Sequence, residues 1–241
     1  MEPTLRLEDD VEIMRHSPLI RGLSKSLSYA ETHGSIGLTQ SWAMNRKFVT
    51  WAAEHFDWPG YTADELYELN KVLDEYRMPP LEVVHDLLLH LKLMRRYKGA
   101  LRLTKKGRAL QNDPVGLFNL AAPVYLYVYQ DDMPPSWQIG APKDWRIFLN
   151  VISIEARNGV TLARLLEAIY DLRSDQKYDA TYQDMRIAFR SSILRRLAWL
   201  GLLWEDRTGL RFLEEGALYK TPLWIAALKL ESDSAPDHYL H

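Results

Sequence analysis

The stretch RRYKGALRLTKKGRALQND, Arg95 to Asp113, decides how this chain is read. Two short segments, LMRRY and ALRLT, are joined through Lys98 and Gly99, a pair suited to a tight hairpin turn. Thr104 then stands where a helix needs a side-chain acceptor for its first free amides, and KKGRAL carries the helix on. Seven basic side chains precede the first acid. The stretch is a hairpin running into a helix, and its charge raises the question of phosphate.

Upstream, SPLIRGLSKSL begins with Ser17 at a cap and Pro18 in the first helical position, and Leu19, Leu23 and Leu27 recur at helical spacing. SWAMNRKFVTWAAEHF is helical, with Met44, Phe48, Trp51 and Ala52 on one side. Thr62 caps a second helix, ADELYELNKVLDEY. Pro79 and Pro80 stop it and open a third, LEVVHDLLLHL, with Leu81, Val84, Leu88 and Leu91 on one stripe. Three helices and a hairpin give the order of a winged helix-turn-helix unit.

The order recurs downstream. DWRIFLNVISIEAR is a helix, Thr161 caps LARLLEAIYDL, and YQDMRIAFRSSILRRLAWL is a long helix closed by Gly201. LLWED and GLRFL then read as a second hairpin around Arg207, Thr208 and Gly209. GLTQSWAMN, RLTKKGRAL and RFLEEGALY share a strand-to-helix pattern, with Thr39 and Thr104 as the capping threonines. The fold class is mainly α with small β-hairpins, as tandem winged helix-turn-helix units. The expected organisation is a loose arm (1–16), an N-terminal unit (17–112), a packed aromatic and proline-rich connector (113–144), a C-terminal unit (145–228) and a mobile tail (229–241). Tyr125, Tyr127 and Tyr129 within the connector suggest a short strand or a contact face.

LRLTKKGRAL after a hairpin resembles the wing-to-helix junction of MarR-like and related bacterial winged-helix proteins. The series SPLIRGL, GLTQSWAMNRKFV, LRLTKKGRAL is also similar to uncharacterised bacterial proteins named after an open reading frame of a rhizobial Ri plasmid. The resemblance covers residues 17–112, with the second unit matching more loosely. It implies a winged-helix fold that binds DNA or a partner, and it carries over no catalytic residue.

Composition bounds the rest. Among 241 residues, 47% are hydrophobic, enough for a full core, and the formal net charge is −2, so no global field draws the chain to nucleic acid. There is no cysteine, which excludes disulfides, thiolate metal sites and a cysteine nucleophile. The N-terminus has no signal layout and no apolar run suits a bilayer, so a cytoplasmic location is expected. GxxxxGK[ST], GxGxxG and GxSxG are absent. Glu82 and His85 make half of a di-iron motif that has no second half. No metal, cofactor or enzymatic activity is expected.

Charge is segregated locally. No acid lies between Asp86 and Asp113, whereas Asp57 to Asp86 holds eight. Lys92, Arg95, Arg96, Lys98, Arg102, Lys105, Lys106 and Arg108 are candidate phosphate contacts; the bland alternative is a solvated hairpin paired with acids of its own unit. The third helix of the first unit should show Glu82, Val83, His85, Asp86, Leu89 and His90 outward, with Glu82, Val83, Asp86 and Leu89 suited to protein. In the second unit Met185, Phe189, Ile193, Leu197 and Leu200 form the buried stripe, and Gln183, Arg186 and Arg190 share a face that could read base edges. The eight tryptophans, Trp42 among them, could stack bases, but core packing is the expected role of most. The expected function is non-catalytic binding of double-stranded DNA, as a bacterial transcriptional regulator or accessory factor. The alternative is a protein-interaction or homodimerisation module.

Overall fold

The computed structural model describes residues 2–129, 144–173, 175, 178–207 and 215–234. The chain is mostly helical, with two small antiparallel sheets among the described residues. It divides into two compact units: Glu12–Ala122, and Met1–Val11 together with Pro123–His241.

The unit from Glu12 begins with α1 (Ile13–His16) and α2 (Pro18–His33). Ser17 Oγ accepts the Ile20 amide at 3.3 Å and Gly34 closes α2 at φ 80°. Leu19, Ile20, Leu23 and Leu27 are fully buried along one face. After β1 (Ile36–Gly37), the helix expected from Ser41 starts later, as α3 (Arg46–His55). Its cap is Asn45, whose side chain accepts the Phe48 amide at 3.0 Å. Thr39 instead closes a turn, its amide donating to Ala43 O and its carbonyl accepting the Trp42 amide.

α4 (Ala63–Leu69) has the expected Thr62 cap, completed by Glu65 as a capping box, but ends well before the expected Tyr76. The chain extends at Asn70 and then turns Leu73 and Glu75 inward, where they are 2% and 4% exposed. Glu75 Oε1 lies 2.5 Å from His85 Nδ1, and Oε2 accepts the Met44 amide. A buried carboxylate needs such donors, so its docking overrides local helix propensity. Glu75–Arg77 form one 3-10 turn, and α5 (Pro79–His90) follows with Leu81, Val84, Leu88 and Leu91 buried.

β2 (Met94–Tyr97) and β3 (Ala100–Leu103) pair antiparallel, turning on Lys98 and Gly99 at φ 49° and 71°. β1 adds to the outer side of β3, giving the order β1-β3-β2. Thr104 caps α6 (Lys105–Leu110), accepting the Gly107 amide at 3.0 Å. α7 (Pro114–Pro123) ends the unit.

In the other unit, the first residues are not a free arm. Leu5 bridges Leu228, the Arg6 amide donates to Ala227 O at 2.9 Å, and Tyr127 Oη donates to Pro3 O at 2.9 Å. Leu5 and Leu7 are 4% and 1% exposed. Val124–Val128 form a single π-helical turn rather than a strand, burying Tyr125 and Leu126. The rest of the expected connector, 130–143, lies outside the described residues. α8 (Trp145–Glu155) and α9 (Leu162–Tyr170) are capped by Asp144 and Thr161. The expected long helix is α10 (Ala180–Phe189), a π turn over Arg190–Leu194, and α11 (Arg195–Trp199).

β4 (Leu203–Asp206) pairs with β5 (Ala217–Lys220), and Val160 bridges Leu218 on the far side of β5. The expected partner GLRFL falls at 209–213, outside the described residues, and the strand that pairs with β4 comes later. The RFLEEGALY match therefore ends inside β5. The capping threonine is Thr221, which starts α12 (Pro222–Ala227). Glu231–Ser234 make a last 3-10 turn with the Ser232 amide on Asn150 Oδ1 at 2.8 Å, and 235–241 lie outside the described residues.

Candidate nucleic-acid interface

The hairpin of the first unit is anchored by Met94 and Leu101, which are 2% and 0% exposed. Side chains alternate along a strand, so Arg95 and Tyr97 share the opposite face, and the register sets Arg102 directly across from Arg95. Lys98 at the turn joins them. The Tyr97 ring centre lies 5.5 Å from the Arg95 guanidinium, 4.9 Å from that of Arg102 and 5.5 Å from Lys98 Nζ. Arg96 points the other way and covers Trp42, from the turn before α3, at 5.3 Å. Tyr97 and Trp42 remain 39% and 48% exposed.

Among the described residues, no carboxylate pairs with Arg95, Arg96, Lys98 or Arg102. Of the acids of 57–86, Asp74 pairs with Arg77 at 2.6 Å, Glu65 closes the capping box, and Glu75 holds His85. The remaining expected cations divide. Lys92 and Lys105 are exposed. Lys106 donates to Leu91 O at 3.2 Å, satisfying the end of α5, and Arg108 pairs with Glu31 at 3.0 Å. These last two have structural partners.

The outward face expected of α5 is narrower than the spacing implied. Val83 and His85 are each 5% exposed, because α5 packs against α2, β2 and the Glu75–Arg77 turn. Val83 is a core residue and not a contact residue. Glu82 and Leu89 are half-buried and Asp86 is exposed, so α5 offers no cationic face to a groove.

In the second unit the base-reading expectation meets an ion-pair network. Arg186 pairs with Glu215 at 2.8 Å, and Arg190 pairs with Glu215 at 3.2 Å and Glu205 at 3.3 Å. Arg207 reaches Glu205 at 3.4 Å, and Gln183 Oε1 accepts from Arg186 at 3.3 Å. Glu205 also accepts the Gly216 amide at 3.0 Å. The two arginines tie α10 and the π turn to the hairpin, so their donors face carboxylates. At the pair equivalent to Arg95 and Arg102 stand Trp204 and Tyr219, with ring centres 5.8 Å apart.

Sequence reasoning passed over Trp42 and Tyr97 as site residues. Tyr97 carried a signal, an aromatic inside RRYK. Trp42 did not, because its approach to Arg96 is tertiary; with Trp204 at 55%, it departs from the core role expected of the tryptophans. Among the described residues, no three His, Asp or Glu side chains converge on a metal-sized site, and no helix is long and apolar enough to cross a membrane.

Residues 15–116 match the family described as the Y4jL N-terminal domain, and residues 137–222 match the Y4jL C-terminal domain. The uncharacterised protein y4jL of Sinorhizobium fredii is 47% identical over 175 residues, which cover 72% of this chain and 80% of that protein. No solved structure matches the chain. The matches name Y4jL domains and no MarR-like or winged-helix family. On both domain matches and the shared identity, the chain belongs to the Y4jL family.

Proposed function

We propose that this protein is a non-catalytic DNA-binding protein that holds the phosphate backbone with the hairpin of its first unit, used as the wing of a winged helix. The observation that carries the reading is the group of four cations, Arg95, Arg96, Lys98 and Arg102, which have no carboxylate partner among the described residues and gather around exposed Tyr97 and Trp42. Directly opposed like charges cost a hairpin stability, and a polyanion relieves that cost. Since α5 presents Asp86 and buries Val83, affinity comes from the wing and is weak in sequence preference. Such a protein serves as a regulator or an accessory factor on DNA.

Fluorescence anisotropy on a labelled duplex tests this. At roughly 0.9 per neutralised phosphate, four contacts give a log–log salt slope near −3.6, a loss of about 150-fold from 50 to 200 mM salt. The triple substitution Arg95→Ala, Arg96→Ala, Lys98→Ala should leave a slope near −0.9 and a loss of about 3.5-fold. Absence of binding at low salt refutes the reading.

A second reading, self-association, has its own observation. Leu69, Tyr76, Val72 and Tyr67 are 72%, 67%, 46% and 44% exposed on α4 and the segment after it. Leu69, Val72 and Arg77 also line a groove of about 300 Å³.

A further inference from the structure

Trp42 is costly where it stands. Its φ of 66° lies in the left-handed region, which a bulky side chain enters against steric resistance. The turn that holds it is fixed by the Trp42 amide on Thr39 O at 3.0 Å and the Thr39 amide on Ala43 O at 2.8 Å. Burial does not offset the strain, because nearly half of the residue is in solvent. Backbone strain at an exposed aromatic ring fits a ligand contact better than a core role. Arg96 beside it supplies a guanidinium plane, and Tyr97 repeats the arrangement on the other face of the hairpin with Arg95 and Arg102.

Layered rings and guanidinium groups are what unpaired bases stack on. In a duplex the base faces are already stacked on one another and only phosphates, sugars and groove edges are offered. The helix of a winged unit that would read groove edges is α5, and it buries Val83 and His85 and shows Asp86. The aromatic half of the site is idle on a duplex and used on a single strand.

We infer that the first unit's hairpin takes single-stranded nucleic acid, with bases stacked on Trp42 and Tyr97 and phosphates held by Arg95, Arg96, Lys98 and Arg102. This rests on the phosphate-holding reading above. The test measures anisotropy of the full chain with labelled oligothymidylate, the matching oligouridylate and a duplex of equal length at low salt. The single strand should bind more tightly than the duplex. Trp42→Gly, which removes the ring and relieves the left-handed residue, and Tyr97→Ala should each weaken single-strand binding about 5- to 150-fold. Both should leave duplex binding unchanged, neither should lower the melting temperature, and Tyr97→Phe should retain full affinity. These losses on either polymer uphold the inference, and the tighter polymer identifies the strand as DNA or RNA. Duplex binding as tight as single-strand binding, or single-strand affinity indifferent to both substitutions, overturns it while phosphate holding stands. Binding to none of the three probes removes both.

Discussion

Removing the Glu75 carboxylate is the sharpest test of how the first unit is held. Glu75 and His85 are 4% and 5% exposed, and the same carboxylate accepts from His85 Nδ1 at 2.5 Å and from the Met44 amide. Glu75→Ala leaves two buried donors without an acceptor, each worth about 1–3 kcal/mol. It also removes the carboxylate's own desolvation cost, which offsets part of the loss. A net destabilisation of about 3–5 kcal/mol follows, as for other half-broken buried pairs. That is a large share of the roughly 5–15 kcal/mol that holds an ordinary domain. Urea unfolding followed by tryptophan fluorescence reads the effect, fitted as two transitions because the chain has two units. Trp42, Trp51 and Trp58 report on the first. A cycle with His85→Leu isolates the pair. His85 Nε2 is buried with no partner among the described residues, so the histidine carries a cost of its own. His85→Leu should therefore cost much less in the Glu75→Ala background than alone. A loss below about 1 kcal/mol for Glu75→Ala would show that the acid does not fasten the 70–78 segment onto α5.

Two further outcomes follow from other parts of the chain. Lys92 closes α5 at φ 57°, where Gly201 stands at φ 78° after α11, so Lys92→Gly should raise the first unit's stability by up to about 1 kcal/mol in the same urea experiment. Under the self-association reading, Leu69→Asp should halve the mass seen by light scattering without shifting the unfolding midpoint; an unchanged mass removes that reading.

Local chemistry made much of the fold legible. Ser17, Thr62, Thr104 and Thr161 are caps as read, because a cap is a bond within four residues and needs no tertiary partner. Lys98 and Gly99 turn a hairpin for the same reason. What failed depended on distant residues. α4 stops at Leu69 because Glu75 bonds to Met44 and His85, neither of which spacing can relate to it. Arg186 and Arg190 looked like free readers until Glu215 and Glu205 came across from the hairpin. The later position of β5 did leave a signal, since ALYKTP repeats ALRLTK with the threonine in place, and the nearer GLRFL obscured it.

The second hairpin serves as an internal control for the first. Both hang from a positive-φ residue, Lys92 or Gly201, followed by a fully buried leucine, Leu93 or Leu202. In both, the amide of the threonine that closes the hairpin, Thr104 or Thr221, returns to that leucine's carbonyl at 3.1 Å, and its hydroxyl reaches the carbonyl of the positive-φ residue. In both, a third segment bridges the inner strand, Ile36 to Leu101 or Val160 to Leu218. Yet the first cross-strand surface pair is Arg95 and Arg102 in one and Trp204 and Tyr219 in the other. The next position is an Arg96 without a carboxylate among the described residues in one and, in the other, Glu205 bound to Arg190 and Arg207. The framework closes without cations at these places, so folding does not require them, and guanidinium groups set face to face work against it. Residues that weaken the free protein and touch no acid are best explained by a ligand that does. The consequence is a paired outcome for Arg95→Ala, Arg96→Ala, Lys98→Ala: the melting temperature holds or rises while binding to a polyanion collapses. A melting temperature that falls together with binding would return these side chains to the fold.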